Sequence, residues 1–207
     1  MAKLYFKYGA MKSGKTTDLI KTWYNYAEKD LKVIIIKPSA DKKAGDNIQS
    51  RAGAELKADY VVDSNVDIYK LINKHIVDVN NQLDCILIDE AQFLTASQVD
   101  DLGMIVDDLN IPIICYGLKA DAFTHVFPGS LRLFEIADVI EELKAVCRCG
   151  SKATFNLRLD IVDGVERPVF LGPQIAIDGI DSRYDSVCRG CYRKLLKEQM
   201  GVINNEK

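Results

Sequence analysis

Apolar positions recur along this chain on two different periods. Short unbroken apolar runs come at Leu4-Tyr5-Phe6, at Val33-Ile34-Ile35-Ile36 (closed by Pro38), at Cys85-Ile86-Leu87-Ile88, and from Ile111 to Tyr116. Such runs fit strands buried on both faces of a parallel sheet. Tyr60-Val61-Val62 and Val139 to Leu143 predict two further short strands. Between the runs, apolar residues return at helical spacing. Leu19, Ile20, Trp23 and Ala27 predict a helix over 16–30. Ile68, Leu71, Ile72, His75 and Ile76 predict another over 67–79, with His75 capping or packing it. A third is expected after Thr95 as N-cap and runs to Leu109, with Pro112 beyond its end, and a short fourth covers 130–137. This alternation defines an α/β fold over residues 1–144, a mostly parallel, doubly wound sheet with helices on both faces. Residues 39–58 are polar, with Lys42, Lys43, Gly45 and Asp46 clustered, and predict a mobile, functional loop. Gly117 to Pro128 predicts a second polar loop carrying Asp121, Phe123, His125 and Phe127.

The pattern changes near residue 145. Leu157-Arg158-Leu159 and Arg167-Pro168-Val169-Phe170 predict two strands joined through Asp163-Gly164. A long loop is expected from Ile175 to Asp185, followed by a helix over 189–200 and a polar tail over 201–207. This lobe, residues 145–200, is bracketed by Cys147-Arg148-Cys149 and Cys188-Arg189-Gly190-Cys191. Two close cysteine pairs separated by a loop fit a tetrahedral zinc site, although the first pair is one residue tighter than the usual spacing. With all four positions filled by protein, the expected metal is structural and staples a lobe too small for its own core.

One stretch carries the strongest chemical signal. Gly9-Ala10-Met11-Lys12-Ser13-Gly14-Lys15-Thr16 fits the phosphate-loop pattern at every fixed position and lies between an expected strand and an expected helix. Glycines let the backbone curl so that N–H groups converge on an anion, and the helix N-terminus adds to the same site. Lys15 supplies a point charge for the β- and γ-phosphates, and the Thr16 hydroxyl can ligate Mg²⁺. Asp89-Glu90 closes the apolar run at 85–88, at the strand end where open α/β sheets bind ligands. Asp89 is placed to hold Mg²⁺ directly or through water, while Glu90 can face a nucleophile. Arg51, in the polar loop, is either a solvated charge or a stabiliser of charge on the transferred group.

Composition narrows the remaining classes. The 207 residues are 48% hydrophobic and 28% charged, enough for one sizeable core and a small second lobe. A net charge of −3 gives no basic field for nucleic acid. No apolar run reaches membrane-spanning length and no signal-peptide pattern opens the chain, so the cytosol is the expected compartment, with no membrane partner. Six cysteines there point to metal or buried thiols, Cys85 being one of the latter. Asp-Glu-Ala-Gln also occurs in nucleic-acid motors, but the acidic charge and a chain too short for a second motor domain oppose that reading. A purely regulatory nucleotide-binding module would not need Glu90.

Taken together, Gly-Ala-Met-Lys-Ser-Gly-Lys-Thr, Asp89-Glu90-Ala91-Gln92-Phe93, Gly117-Leu118-Lys119, the cysteine pairs and Tyr184-Asp185-Ser186-Val187-Cys188 resemble the type II thymidine kinases over nearly the whole chain. The resemblance implies a phosphate-loop NTPase-like (RecA-like) domain with a zinc lobe that carries a lasso loop. It implies transfer of the γ-phosphate of ATP, with Mg²⁺, to the 5′-hydroxyl of thymidine, and of deoxyuridine as a second acceptor. Glu90 matches the catalytic base and Arg51 an active-site Arg. Residues 9–16, Asp89 and Gln92 are expected at the nucleotide. Met11, Phe93, Leu118, Phe123, Phe127, Asn156 and Tyr184 are expected at the nucleoside, together with the lasso residues Ile175, Ala176, Ile177, Asp178, Gly179 and Ile180. Cys147, Cys149, Cys188 and Cys191 are the implied zinc ligands. A cytosolic homotetramer inhibited by thymidine triphosphate is also implied. Three departures bear on base selectivity: Asp178-Gly179-Ile180 replaces the family's Gly-Gly, Phe123 is displaced by one position, and Asn156 stands where some members have Thr.

Overall fold

A computed structural model describes residues 1–41, 45–50, 53–78, 82–174 and 182–205. Contacts within the chain divide it into two units. The first comprises Met1–Tyr8, Gly14–Lys119 and Phe127–Glu142. It contains β1 (Leu4–Gly9), α1 (Lys15–Ala27), β2 (Val33–Pro38), β3 (Asn47–Gln49), β4 (Glu55–Lys57), β5 (Tyr60–Val62), α2 (Ile68–Asp78) and β6 (Cys85–Ile88). A 3₁₀ turn (Ala91–Phe93), α3 (Ala96–Leu109), β7 (Ile113–Leu118), α4 (Pro128–Ile136) and β8 (Val139–Glu142) follow. Six strands form one sheet in the order β5-β2-β6-β7-β1-β8, and the β5–β2, β2–β6, β6–β7 and β1–β8 pairs run parallel.

The unbroken apolar runs follow from burial on both faces of this sheet. Ile34, Ile36, Ile86, Ile88, Ile113 and Cys115 enter a core shared with Ile68, Ile72, Val99, Leu102, Ile105 and Leu133 of α2, α3 and α4. Ile35, Leu87 and Tyr116 alternate to the opposite face and are equally buried. There the Tyr116 hydroxyl donates to Asp18 Oδ2 (3.1 Å) and lies 3.0 Å from Thr22 Oγ1, both on α1. Lys7 pairs with the same carboxylate at 2.8 Å. Burial pushes the Cys85 thiol up to about 11, and Cys115 also upward, as inert core thiols require.

Helix α3 starts as its sequence predicts. The Thr95 side chain accepts the Gln98 N–H while the Gln98 side chain accepts the Thr95 N–H, a reciprocal cap. His75 packs edge-on against Tyr60, its Nδ1 2.8 Å from the hydroxyl. The polar segment 39–58 differs from the expected loop, for β3 and β4 pair as an antiparallel hairpin. Ile48 supplies its buried residue, and Lys37, itself 1% exposed, ties the hairpin to the sheet. The Lys37 ammonium pairs with Asp41 at 2.9 Å and donates to the carbonyls of Gly45 (2.9 Å) and Asn47 (3.2 Å). Lys42, Lys43 and Arg51 lie outside the described residues.

The second unit comprises Gly9–Ser13, Ala120–Val126 and the chain from Leu143 onward. It contains β9 (Ala145–Val146), β10 (Lys152–Ala153), β11 (Phe155–Val162), β12 (Val165–Val169), β13 (Ser182–Val187) and α5 (Arg189–Asn205). Strands β12, β11 and β13 form an antiparallel sheet, and β9 and β10 a separate hairpin. The β11–β12 turn uses Asp163 and Gly164, both with positive φ, as that dipeptide predicts. Tyr184, expected in a loop, lies instead on β13 opposite Arg158, and α5 runs five residues past Met200 to Asn205. Leu157, Leu159, Val187 and Tyr192 centre a small core.

Candidate active site

The phosphate loop leaves β1 at Gly9 and enters α1 at Lys15. Its two pattern glycines are required for different reasons. A Cβ at Gly9 would run into the Ser13 side chain and the Leu143 carbonyl, whereas Gly14 has open space but a φ of +82°. Gly14 is the N-cap of α1, and its carbonyl accepts the Asp18 N–H at 2.9 Å. Within the loop, the Ser13 N–H donates to the Ala10 carbonyl at 3.3 Å. Lys12 adopts φ +63°, a conformation costly for any residue with a Cβ. Lys15 is buried.

Asp89 and Glu90 follow β6. Asp89 is 5% exposed and its N–H donates to the Ile36 carbonyl at 3.1 Å. Burial, then the neighbouring Glu90 and Asp41 charges, push its carboxyl up to about 7, with Lys15 pulling the other way. A buried carboxylate short of positive charge is suited to receive a cation. Glu90 follows with a left-handed backbone, φ +48° and ψ +41°. It caps the 3₁₀ turn, and its carboxylate accepts from Gln92 Nε2 at 2.5 Å. Gln92 is 1% exposed, and its Oε1 accepts the Leu118 N–H at 2.9 Å. Its amide thus spans the ends of β6 and β7. Ser130 Oγ donates to the Leu118 carbonyl at 2.5 Å, which fixes that corner from α4. Phe93 and Phe127 stack edge to face, centroids 5.6 Å apart, in the same unit.

The second unit assembles another group of the expected residues. The Met11 N–H donates to Asn156 Oδ1 at 2.7 Å, and Asn156 Nδ2 donates to the Ala120 carbonyl at 2.8 Å. Asn156 therefore joins the phosphate loop to the segment at 120–126. That segment is shaped by Asp121. Its Oδ1 accepts the N–H groups of both Phe123 and His125 at 2.8 Å, folding the loop back on itself. Tyr192 OH donates to the Ala122 carbonyl at 2.8 Å, and Phe123 is buried. Burial raises the Tyr184 phenol above its usual value. The lasso residues Ile175, Ala176, Ile177, Asp178, Gly179 and Ile180 lie outside the described residues, as does Arg51.

The four expected ligand cysteines come together. The Sγ atoms of Cys147, Cys149, Cys188 and Cys191 all lie within 4.8 Å of one another, Cys149 and Cys188 at 3.6 Å. Zinc–sulfur bonds of about 2.3 Å put tetrahedral sulfurs about 3.8 Å apart, so the cluster fits a metal ion. Hydrogen bonds from Ser151, and then from Cys188 and Cys147, lower the Cys149 thiol below its ordinary value, while those among Cys188, Cys149 and Cys147 raise Cys191. Among the described residues this is the cluster able to hold a metal.

Fold and loop together define a phosphate-loop nucleotide-binding protein with a cysteine cluster that could hold a metal ion. Among the described residues no helix is long and apolar enough to cross a membrane. A family model described as Thymidine kinase matches residues 2–192. A thymidine kinase of Francisella tularensis subsp. holarctica is 40% identical over 195 residues, covering 91% of this chain and 95% of the relative. One of Idiomarina loihiensis is 42% identical over 203 residues, covering 98% and 100%. One of Xanthomonas campestris pv. campestris is 42% identical over 199 residues, covering 95% and 92%. The chain belongs to the thymidine kinase family, and it is a kinase.

Proposed function

We propose that this chain transfers the γ-phosphate of ATP to the 5′-hydroxyl of thymidine, with Glu90 as the base. The observation that carries the reading is the family match over residues 2–192 in a chain that keeps the phosphate loop and the Asp89-Glu90 pair. In this scheme the loop N–H groups and Lys15 take the triphosphate. Thr16 and Asp89 would hold Mg²⁺, which supplies charge neutralisation at the phosphates. Glu90 accepts the 5′-hydroxyl proton as that oxygen bonds to the γ-phosphorus, and the bond from the γ-phosphorus to the β–γ bridging oxygen breaks to release ADP. Gln92 holds Glu90 for this step, and Met11, Leu118, Phe93, Phe127, Phe123, Asn156 and Tyr184 are assigned to the nucleoside. Arg51 and residues 175–180 are assigned, from the family resemblance, to transition-state charge and to the thymine ring. Cys147, Cys149, Cys188 and Cys191 would bind a structural zinc. The same resemblance supports a cytosolic homotetramer inhibited by thymidine triphosphate.

The test is phosphorylation of a nucleoside panel with Mg·ATP, on the unaltered chain and on Glu90→Gln. Thymidine should be the preferred acceptor. The variant should still bind ATP and lose roughly a hundredfold to ten-thousandfold in kcat. Full turnover by Glu90→Gln overturns the role of Glu90, and no turnover of any nucleoside by the unaltered chain overturns the reading.

A further inference from the structure

The phosphate-loop pattern asks for one lysine, Lys15, and this loop has two. The second, Lys12, is in the left-handed region at φ +63°. A non-glycine residue stays there only when its surroundings over-determine it. What holds Lys12 is visible. Its ammonium lies 2.6 Å from Asp185 Oδ1, on β13, three residues ahead of Cys188. The Asp185 side chain is 13% exposed, and its Oδ1 also accepts the Ser186 N–H at 3.0 Å. Arg148, between Cys147 and Cys149, faces Oδ2 at 3.4 Å. Burial by itself would raise the Asp185 carboxyl, yet the Lys12 hydrogen bond, the Ser186 N–H and the two cations bring it below its usual value. The preceding loop residue is gripped as well, since the Met11 N–H is taken by Asn156. Two consecutive residues of the loop are therefore held from β13 and β11, the strand pair that leads into the cysteine cluster.

We propose that Asp185 is a positioning residue for the nucleotide, which fixes the phosphate loop through Lys12 and so links its affinity for ATP to the cysteine-bearing segment. This rests on the reading of residues 9–16 as the triphosphate site. A loop already held in its binding geometry has less ordering to undergo when the phosphates arrive. Released from Asp185, Lys12 leaves the left-handed conformation, and fewer of the loop N–H groups converge on the anion.

The experiment measures Mg·ATP binding by calorimetry on the full, metal-loaded chain, with turnover of thymidine and metal content determined alongside. Asp185→Asn should weaken Mg·ATP binding roughly tenfold, as expected for loss of a partly buried charge-assisted bond. Its kcat and metal content should be unchanged. Lys12→Met should weaken binding to the same degree, the double variant no further, and Asp185→Glu should restore most of the loss. Binding by Asp185→Asn as tight as in the unaltered chain, or additive losses in the double variant, overturns the proposal. Weakening by Lys12→Met alone also overturns it, because Lys12 would then contact phosphate directly. If Asp185→Asn does not fold, Asp185→Ser is measured against Lys12→Met in its place, and binding by it as tight as in the unaltered chain overturns the proposal. Lys15→Ala separates the two readings. Should it bind Mg·ATP normally, the triphosphate site is wrong; should it lose binding while Asp185→Asn does not, only the role of Asp185 falls.

Discussion

Gln92 holds Glu90 from within the protein: its Nε2 donates to the Glu90 carboxylate at 2.5 Å while its Oε1 is occupied by the Leu118 N–H. The side chain is 1% exposed, so its rotamer is set by packing as well as by both bonds. Gln92→Ala leaves Glu90 unoriented and the Leu118 N–H without its acceptor. The expected result is a kcat drop of roughly tenfold to a hundredfold with KM for ATP nearly unchanged, and a stability loss of about 1–3 kcal/mol from the orphaned donor. Steady-state kinetics and denaturant unfolding read the two separately.

Glu90 itself separates activity from stability. At φ +48° and ψ +41° its backbone is left-handed, which a residue with a Cβ adopts at a cost of about 1–2 kcal/mol. Glycine relieves that cost. Glu90→Gly should therefore be at least as stable as the unaltered chain in thermal unfolding, yet inactive with thymidine. A large fall in Tm would mean that the Gln92 bond outweighs the backbone strain.

Asp89 makes stability depend on pH with a definite sign. Its folded pKa, about 7, lies above the ordinary 3.8. Between those values the folded chain holds a proton that the unfolded chain has released, so stability falls as pH rises through this window and levels off above it. In Asp89→Asn this contribution vanishes. With metal chelated, the variant should show a flatter Tm profile between pH 4.5 and 8 and a Tm a few degrees higher at pH 8. Mg·ATP should bind the unaltered chain with loss of a proton below pH 7, visible as a buffer-dependent heat in calorimetry.

The cysteine cluster and the core thiols should respond differently to substitution. Cys188→Ser removes one of four sulfurs within 4.8 Å of one another and should abolish stoichiometric zinc, measured by atomic emission. The small core around Leu157, Val187 and Tyr192 should then melt early. Cys85→Ala and Cys115→Ala touch buried thiols of the sheet and should leave the metal content unchanged while lowering Tm.

What could be read from the sequence was what neighbouring residues decide. The loop at 9–16, the apolar runs and the Thr95 cap all depend on local spacing, and they appear where the pattern places them. The hairpin of β3 and β4 did not announce itself because each strand has three residues and only Ile48 is deeply buried. Strand β13 reads as a loop because Ser182, Arg183 and Asp185 are polar, and it is β11 alongside that makes the segment extended. The tethers on the loop were equally silent. Met11 and Asn156 are 145 residues apart in sequence, and Lys12 and Asp185 are 173. Asp121 had a local signal, an aspartate two and four residues ahead of the N–H groups it captures, but the same pattern occurs in loops of no consequence.

The sheet order also governs when the protein can first act during its own synthesis. The opening strand is inserted between β7 and β8, with Tyr5 beside Val139 and the Leu4 N–H on Asp138. A nascent chain must therefore expose residues as far as Glu142 before the strand that launches the phosphate loop has both its neighbours. Ribosome-bound fragments ending ahead of β8 should fail to retain ATP, although the whole loop has long since emerged.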